Sequence, residues 1–528
     1  MKKFLGKVGE KLDSLDLKRS SNGSFSNTAS ASLAPPPPPT SQPPSPADIY
    51  RHRKQRGVNI GSWFSLESWL TPSLFQRAVG PRGSEHDVVL GMSNPESKAM
   101  LENHWDRFVD DGDWRWMKGH GINTVRLPIS YYHFLPGHPD PSVRDLLKGT
   151  DFERFEDVYS GALSRILRAI ETAKSHGMGV LVDLHSAPGK QNLDGHSGTS
   201  SNKAALWESS WLQTKTIQIL VALANTVAGY ENVVGLEVLN EPKNSGRLQS
   251  FYEEAIRAIR SSSPQASALP LYLGDAWDTN HYTGFVGQQT SPASFLVNDY
   301  HLYRCFTKED HATRAEEHAR RCQPDENGGG QTAAWLSNMS NRCGGSLVIG
   351  EWSAALNPSS LSHLRSEEEQ RQTKAYWAHS QWLAFERHCS GYFFWTLKKE
   401  GGPDTGWCFY TAVEHGVLPA SLSPHSNVDL EAVGSKGEGL LQQAFQAHCS
   451  YWDPRIKDGS QHFRFQHGFR LAWEDSLHFA RHGGAEIGFG GQWMKTRLAS
   501  HVNEKGPDGA WEFEHGYMQG LCAFKTAL

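Results

Sequence analysis

From Gly57 onward, short apolar runs recur along the chain with stretches between them long enough to hold a helix. The runs are GVNIG (57–61), INTVRLP (122–128), MGVLVDLH (178–185), VVGLEVLNEP (233–242), LPLYLGDAW (269–277), FLVNDYHLY (295–303), SLVIGEW (346–352) and GYFFWTLK (391–398). Each has the length and β-branched or aromatic content of a strand buried on both faces. Helical spacing of apolar residues fills several of the gaps, as from Phe155 to His176 and from Trp211 to Ala228. Alternating strands and helices predict an α/β fold with a parallel sheet, and eight such strands predict closure into a (β/α)8 barrel.

Polar residues break these runs at one end only. Each run is apolar until its C-terminal end, where Arg126, His185, Asn240 with Glu241, Asp275, His301 with Tyr303, Glu351 and Trp395 appear. In a closed barrel those ends share one rim, the face on which barrel enzymes carry their active sites. A chain without a site there would scatter such residues over both rims.

The flanks read differently. Residues 4–17 place Phe4, Val8, Leu12 and Leu15 at helical spacing among Lys and Glu, so 1–18 is expected to be a short amphipathic segment. It is either a lightly ordered terminus or a weak peripheral membrane contact. Residues 19–49 are rich in Ser, Asn, Ala and Pro, including Pro35 to Pro39, and are expected to be a disordered linker with polyproline II character. The catalytic barrel is assigned to 50–454. The remainder, 455–528, is expected to be a C-terminal extension packed on the barrel. Within it FRFQHGFRLA (463–472) and WEFEHGYMQG (511–520) share an aromatic-x-Phe-x-His-Gly-aromatic phrase. They are either a weak duplication or two pieces that pack together.

Composition narrows the function. A net charge of −5 over 528 residues leaves no basic field for nucleic acid. Seven Cys include no C-x-x-C pair, so no metal cage or redox motif is expected. The basic start lacks an apolar h-region and no run is long enough to span a membrane. An intracellular protein with reduced thiols is therefore the expectation. The 18 Trp are mostly core, but an indole is also a platform for a sugar ring.

Glu241 and Glu351 carry the chemistry. Cleaving a glycosidic bond requires a proton for the leaving oxygen and a group to capture the oxocarbenium-like carbon. Retaining enzymes use two carboxyls about 5–5.5 Å apart. Runs four and seven face each other across a barrel mouth, so their terminal carboxylates can straddle a sugar. One must stay protonated and the other ionised, and Arg126 and Tyr303 are suited to holding an anion.

With these residues in place the chain resembles the glycoside hydrolases of clan A, family 5, and among them the fungal exo-β-1,3-glucanases. The matching stretches are RGVNIGSWFSLESWLTPSLF (56–75), NTVRLPI (123–129), VDLHSAPGKQN (182–192), VVGLEVLNEP (233–242), VIGEWSAAL (348–356), YFFW (392–395) and VEHGVLP (413–419). The resemblance spans roughly residues 50 to 450. It implies Glu241 as acid/base and Glu351 as nucleophile, with Asn240 on the sugar 2-hydroxyl. It further implies that Arg126 and Tyr303 hold the nucleophile, that His185 and His301 are hydrogen-bonding groups on the rim, and that Trp395 is the floor under the terminal glucose. Glu67 would bind hydroxyls of that glucose, and Asp194 and Phe306 would line the site beyond it. No metal or organic cofactor is implied; the partner is a β-glucan or β-glucoside substrate.

Departures from the family matter. Where the family reads Gly-Phe-Asp-Asn-Ser-Gly, this chain has Leu193-Asp194-Gly195-His196-Ser197-Gly198, so Leu193 replaces one aromatic of a sugar clamp while Phe306 keeps the other. Cys322 and Cys449 stand where secreted relatives hold a disulfide. Three readings follow: an exo-β-1,3-glucanase; a β-glucosidase for another β-glucoside such as a glycolipid or sterol glucoside, favoured by Leu193 and the amphipathic N-terminus; and a non-catalytic glycan-binding barrel, against which every catalytic position is filled.

Overall fold

The computed structural model describes residues 38–289, 291–324, 330–423, 428–456 and 460–528. The expected amphipathic segment, and the expected linker as far as residue 37, lie outside them. Eight parallel strands close into a barrel in sequence order. They are β1 (Gln55–Asn59), β2 (Thr124–Ser130), β3 (Gly179–Ser186), β4 (Val233–Glu237), β5 (Leu271–Gly274), β6 (Leu296–Arg304), β7 (Leu347–Leu356) and β8 (Gly391–Phe394). β8 returns to β1 with Gln55 opposite Gly391. All residues of β2, β3 and β4 are buried, as continuous apolar runs require in a sheet covered on both faces.

Helices cover the barrel where the periodicity places them. The first, α1 (Pro46–His52), precedes β1 and starts with a capping box between Ser45 and Asp48. In α2 (Ala162–Ser175), Ala162, Leu163, Ile166, Ala169, Ile170 and Ala173 are buried, a stripe at i, i+3, i+4 spacing. In α3 (Ser210–Val227), Thr216, Ile219, Leu220, Leu223, Ala224 and Val227 do the same. Helix α4 (Glu367–His388) leads into β8. Three strands are shorter than their apolar runs suggest. Regular pairing stops at Glu237 in β4, at Gly274 in β5 and at Phe394 in β8. Beyond β4 and β5 the freed backbone turns sharply: Glu241, Ala276 and Trp277 all take positive φ, at 42°, 50° and 59°.

Four long helices, each of 16 residues or more, come after the barrel strands: α5 (Gly437–Trp452), α6 (Phe463–Arg481), α7 (Gly490–Lys505) and α8 (Ala510–Ala527). The link between α6 and α7 crosses the N-terminal face of the barrel. Gly488 and Phe489 donate their N–H groups to the His52 carbonyl at 2.9 and 3.0 Å, and Lys54 N–H donates to the Glu486 carbonyl at 2.8 Å. A Cβ on Gly488 would stand 2.5 Å from Lys54 Cα, so only glycine lets the two backbones approach this closely. Phe489 is fully buried beneath the barrel with Leu181, Val234, Tyr272, Phe295, Val297, Val348 and Phe393. Arg56 ties the link to α4 by pairing with both Glu486 and Glu386.

Residues 38–45 fall in the stretch read as linker, yet they are held by α7. Thr40 donates its N–H and hydroxyl to the Glu504 carboxylate at 2.7 Å each, Arg497 donates to the Gln42 carbonyl at 2.9 Å, and Ser500 donates to the Pro38 carbonyl at 2.6 Å. Local composition reads as a free tether because these partners lie more than 450 residues away. Among the described residues no helix is long and apolar enough to cross a membrane. Cys322 and Cys449 are both free thiols.

Candidate active site

The C-terminal ends of the strands bring the expected residues to one place. Arg126, on β2, is fully buried and its guanidinium is the hub. It donates to Glu351 Oε1 at 3.0 Å, to Asn240 Oδ1 at 2.7 Å, to Glu237 Oε2 at 2.7 Å and to Asn59 Oδ1 at 3.0 Å, and it lies 3.1 Å from Asp183 Oδ2. An always-charged planar fork suits this role, since each N–H has a fixed direction and a carboxylate or amide to receive it. Tyr303, on β6, donates its hydroxyl to Glu351 Oε2 at 2.7 Å. Both oxygens of Glu351 thus accept from fixed donors.

His301 joins the two candidate carboxyls. Its Nδ1 stands 2.8 Å from Glu241 Oε1 and 3.4 Å from Glu351 Oε2, while Nε2 is 3.4 Å from Asp299 Oδ2. One nitrogen in contact with both glutamates means that they face each other across it. Burial works to lower the imidazole's pKa, but the charges of Glu351 and Asp299 outweigh it and raise it well above the ordinary range. Burial at Glu241 is likewise outweighed by the His301 hydrogen bond, and its net shift is downward. Burial raises Glu351 against the pull of His301 and Arg126. The three groups lie within reach of one another's charge, so the protons they bind belong to the cluster and not to any one residue.

Around this centre several buried polar atoms have no hydrogen-bond partner among the described residues, among them Glu67 Oε1, His185 Nε2 and Asn240 Nδ2. Burial pushes the Glu67 carboxyl up to about 7, against the charge of His196 and the N–H that Trp69 donates to Oε2 at 2.8 Å. Burial pushes His185 down to about 4, so its ring is neutral near neutral pH. Its Nδ1 meets Asp183 Oδ2 at 2.7 Å, which places the proton there and leaves a lone pair on Nε2. Trp395, after β8, lies parallel to the His185 ring at 5.9 Å. Such a set of donors and acceptors beside a flat indole matches the hydroxyl-rich edge and C–H face of one pyranose.

The wall beyond is aromatic. Trp407 lies 5.2 Å from Trp69, 5.3 Å from Tyr303 and 6.0 Å from Phe306 between ring centres. Phe306 is 66% exposed, Leu193 63% and Trp277 56%, an apolar margin at the mouth. Asp194 is exposed on the loop after β3, and a carboxylate oxygen of it lies within 4.8 Å of His196 and Glu241. Glu241 also lines a small open recess with Gly274, Asp275, Ala276, Trp277, Asp299 and His301.

Every residue singled out from sequence reaches this site or its margin. Sequence reasoning missed His196, whose Nε2 is 3.5 Å from Glu241 Oε2 and whose ring meets His185 at 5.1 Å. Burial opposes its charge, but Glu241, Glu67 and Asp194 raise its pKa. The available signal was its position inside the segment that departs from the family. Asn59, Asp183, Glu237 and Asp299, which brace Arg126 and His301, were also missed. Each lies inside one of the eight runs, and the expectation of runs apolar up to their C-terminal ends passes over it. Ligand-type atoms of Glu67, His185 and His196 come within 4.8 Å of one another, as do those of Asp194, His196 and Glu241.

Residues 93–401 match the family model Cellulase (glycosyl hydrolase family 5), and residues 433–528 match the model Glucan 1,3-beta-glucosidase 3 C-terminal domain. Glucan 1,3-beta-glucosidase 3 of Schizosaccharomyces pombe is 34% identical over 476 residues, covering 89% of this chain and 94% of the relative. An uncharacterized glycosyl hydrolase of Saccharomyces cerevisiae is 29% identical, covering 90% of this chain and 92% of the relative. Among solved structures, a rutinosidase from Aspergillus niger superposes with a TM-score of 0.53 at 17% identity, over 70% of this chain and 99% of that one.

Proposed function

This chain belongs to glycosyl hydrolase family 5 and is an O-glycosyl hydrolase, and from that premise we propose that it is a retaining, exo-acting β-glucosidase whose substrate is a β-1,3-glucan. The observation that carries the reading is the single His301 nitrogen in contact with both Glu241 and Glu351, with Arg126 and Tyr303 fixing Glu351 from behind.

In this reading Glu351 is the nucleophile. Its carboxylate forms a bond to the anomeric carbon as the glycosidic C–O bond breaks, and Glu241 delivers a proton to the departing oxygen. Glu241 obtains that proton from His301 along their 2.8 Å hydrogen bond, so a carboxylate that rests ionised is protonated when it is needed. Glu241 then takes a proton from the incoming water, which displaces Glu351 from the opposite face and leaves the β configuration. Asn240, held by Arg126 through Oδ1, has Nδ2 available for the sugar 2-hydroxyl. Glu67 Oε1 and His185 Nε2 receive the remaining hydroxyls, over the face of Trp395. The Trp69–Trp407 contact beside the pocket supports exo action. The Schizosaccharomyces pombe relative, named a glucan 1,3-beta-glucosidase, supports the linkage.

A second substrate class is favoured by one observation. The exposed margin of Leu193, Trp277 and Phe306 offers apolar surface where the leaving group departs, which suits the aglycone of a glucosyl lipid or sterol glucoside. The test is hydrolysis of a chromogenic β-glucoside followed by proton NMR, then a panel of laminarin against glucosyl lipids. Retention gives β-glucose as the first product, and exo action gives glucose alone from laminarin. First-formed α-glucose, internal laminarin fragments or absence of hydrolysis would each refute the corresponding part of the proposal.

A further inference from the structure

The two look-alike segments after the barrel pack against each other. They are the first halves of α6 and α8, crossing through their glycines. A Cβ on Gly468 would stand 2.2 Å from the Phe513 carbonyl oxygen, one on Gly516 2.0 Å from that of Phe465, and one on Gly520 2.7 Å from that of Phe469. The contacts around the crossing repeat in the two halves. His467 of α6 meets His501 of α7, and His515 of α8 meets His448 of α5, each Nδ1 to Nδ1 at 3.1 Å. Phe513 stacks on His501 at 4.2 Å, and Phe465 stacks on His448 at 4.1 Å.

The halves differ in one charge. Three residues before His467 stands Arg464, whose Nη1 lies 2.8 Å from His501 Nε2. Three residues before His515 stands Glu512, whose Oε2 lies 3.1 Å from His448 Nε2. One half therefore encloses its own cation, a guanidinium capped by the Lys505 and Gly506 carbonyls. The other encloses a carboxylate, and a third group converges on it: His462 Nδ1, 2.7 Å from Glu512 Oε2.

We propose that this second half is a binding site for a zinc-class divalent ion, with His448 Nε2, His462 Nδ1 and Glu512 as ligands. The three ligand atoms lie within 4.8 Å of one another. Zinc holds nitrogen and oxygen at about 2.0–2.2 Å in a tetrahedron, which sets ligand atoms about 3.4 Å apart. The observed 3.1 and 2.7 Å need to open by only a few tenths of an ångström to about 0.7 Å. Two imidazoles with one carboxylate select zinc over magnesium or calcium, which take oxygen.

The far side of each imidazole carries the support such ligands need. His462 Nε2 lies 2.8 Å from Asp453 Oδ1, the carboxylate–histidine arrangement that orients a metal-bound ring. His448 Nδ1 faces His515 Nδ1, and the Gln519 amide nitrogen donates to His515 Nε2 at 2.8 Å; when His448 Nε2 turns to the ion and its proton moves to Nδ1, His515 accepts that proton's hydrogen bond at Nδ1 and the Gln519 amide turns its oxygen to the N–H then on His515 Nε2. Glu512 Oε1 is held by the Gln461 N–H at 2.7 Å. His448 and Glu512 are buried while the His462 side chain is 15% exposed, which gives the ion a way in. The ion would clamp α5, the turn before α6 and the start of α8.

The test uses the full chain, stripped with chelator, incubated with zinc, desalted, and assayed for metal by plasma mass spectrometry and for Tm. The proposal expects about one zinc retained per chain and a Tm raised by several degrees, reversed by chelator. Glu512→Gln and the edge variant His462→Asn should each lose the metal and the Tm gain, while Cys449→Ser, beside an alternative Cys449–Asp453–His462 group, should keep both. Failure of the unaltered chain to retain zinc overturns the proposal whatever the variants do. So does zinc retention that survives Glu512→Gln but is lost in Cys449→Ser.

Discussion

Replacing Glu67 by Gln tests the electrostatics of the sugar pocket through stability. The Glu67 carboxyl is buried, Oε1 has no partner among the described residues, and its strongest supports are the charge of His196 and the Trp69 N–H. A carboxyl that titrates near 4.5 in the unfolded chain titrates at about 7 in the fold. At about 1.4 kcal/mol per pH unit, that gap is worth about 3 kcal/mol. Below pH ~4.5 the proton is on in both states and Glu67 makes no difference to stability. As pH rises the unfolded chain ionises first, so folding must hold the group neutral, and above pH ~7 it must bury the anion. The wild-type chain therefore loses stability across that window, whereas a glutamine is neutral throughout. Urea denaturation of both proteins at pH about 4.5 and about 7.5 should show the wild-type advantage over Glu67→Gln falling by up to about 3 kcal/mol between them. Parallel pH curves for the two proteins would refute the raised pKa and with it the picture of Glu67 as a neutral hydroxyl-binding group at mildly acidic pH.

The two carboxylates should separate kinetically. Glu351→Gln should abolish turnover of every substrate, whereas Glu241→Gln should still glycosylate on a nitrophenyl β-glucoside, accumulate the covalent intermediate, and regain turnover with azide as a β-glucosyl azide. An α-glucosyl azide from Glu351→Gln, with no rescue of Glu241→Gln, would reverse the assignment. Gly516→Ala sets a methyl 2.0 Å from the Phe465 carbonyl oxygen and should destabilise the chain by about 1–3 kcal/mol or more in the same urea assay. Phe489→Ala empties a fully buried site beneath the barrel and should cost about 3–5 kcal/mol while leaving KM for a nitrophenyl glucoside unchanged. A raised KM would mean that the lower face is coupled to the sugar pocket.

What the sequence determined by itself is what burial writes locally. A strand inside a covered sheet must be apolar along its length, so β1 to β8 stand out as runs. A rim residue that does chemistry must break its run at the C-terminal end, so Arg126, His185, Glu241, His301, Tyr303, Glu351 and Trp395 stand out too. The resemblance then supplied Glu67, Asp194 and Phe306, which no periodicity marks. The tertiary structure decided which polar groups meet. Asp183, Glu237 and Asp299 pass unmarked inside their runs and become the braces of Arg126 and His301 only when three strands close on them. His196 gains its charged neighbours from loops after different strands. Residues 38–45 read as tether because proline and serine look unstructured locally, whereas the carboxylate of Glu504 and the guanidinium of Arg497 that hold them are on α7. The repeated His-Gly phrase left duplication and packing both open, and the helix crossing itself turns its glycines into contact points and its histidines into pairs. Local pattern records whether a residue is buried; it carries no record of which distant residue it is buried against, and that identity is what sets a hydrogen bond, a pKa or a ligand set.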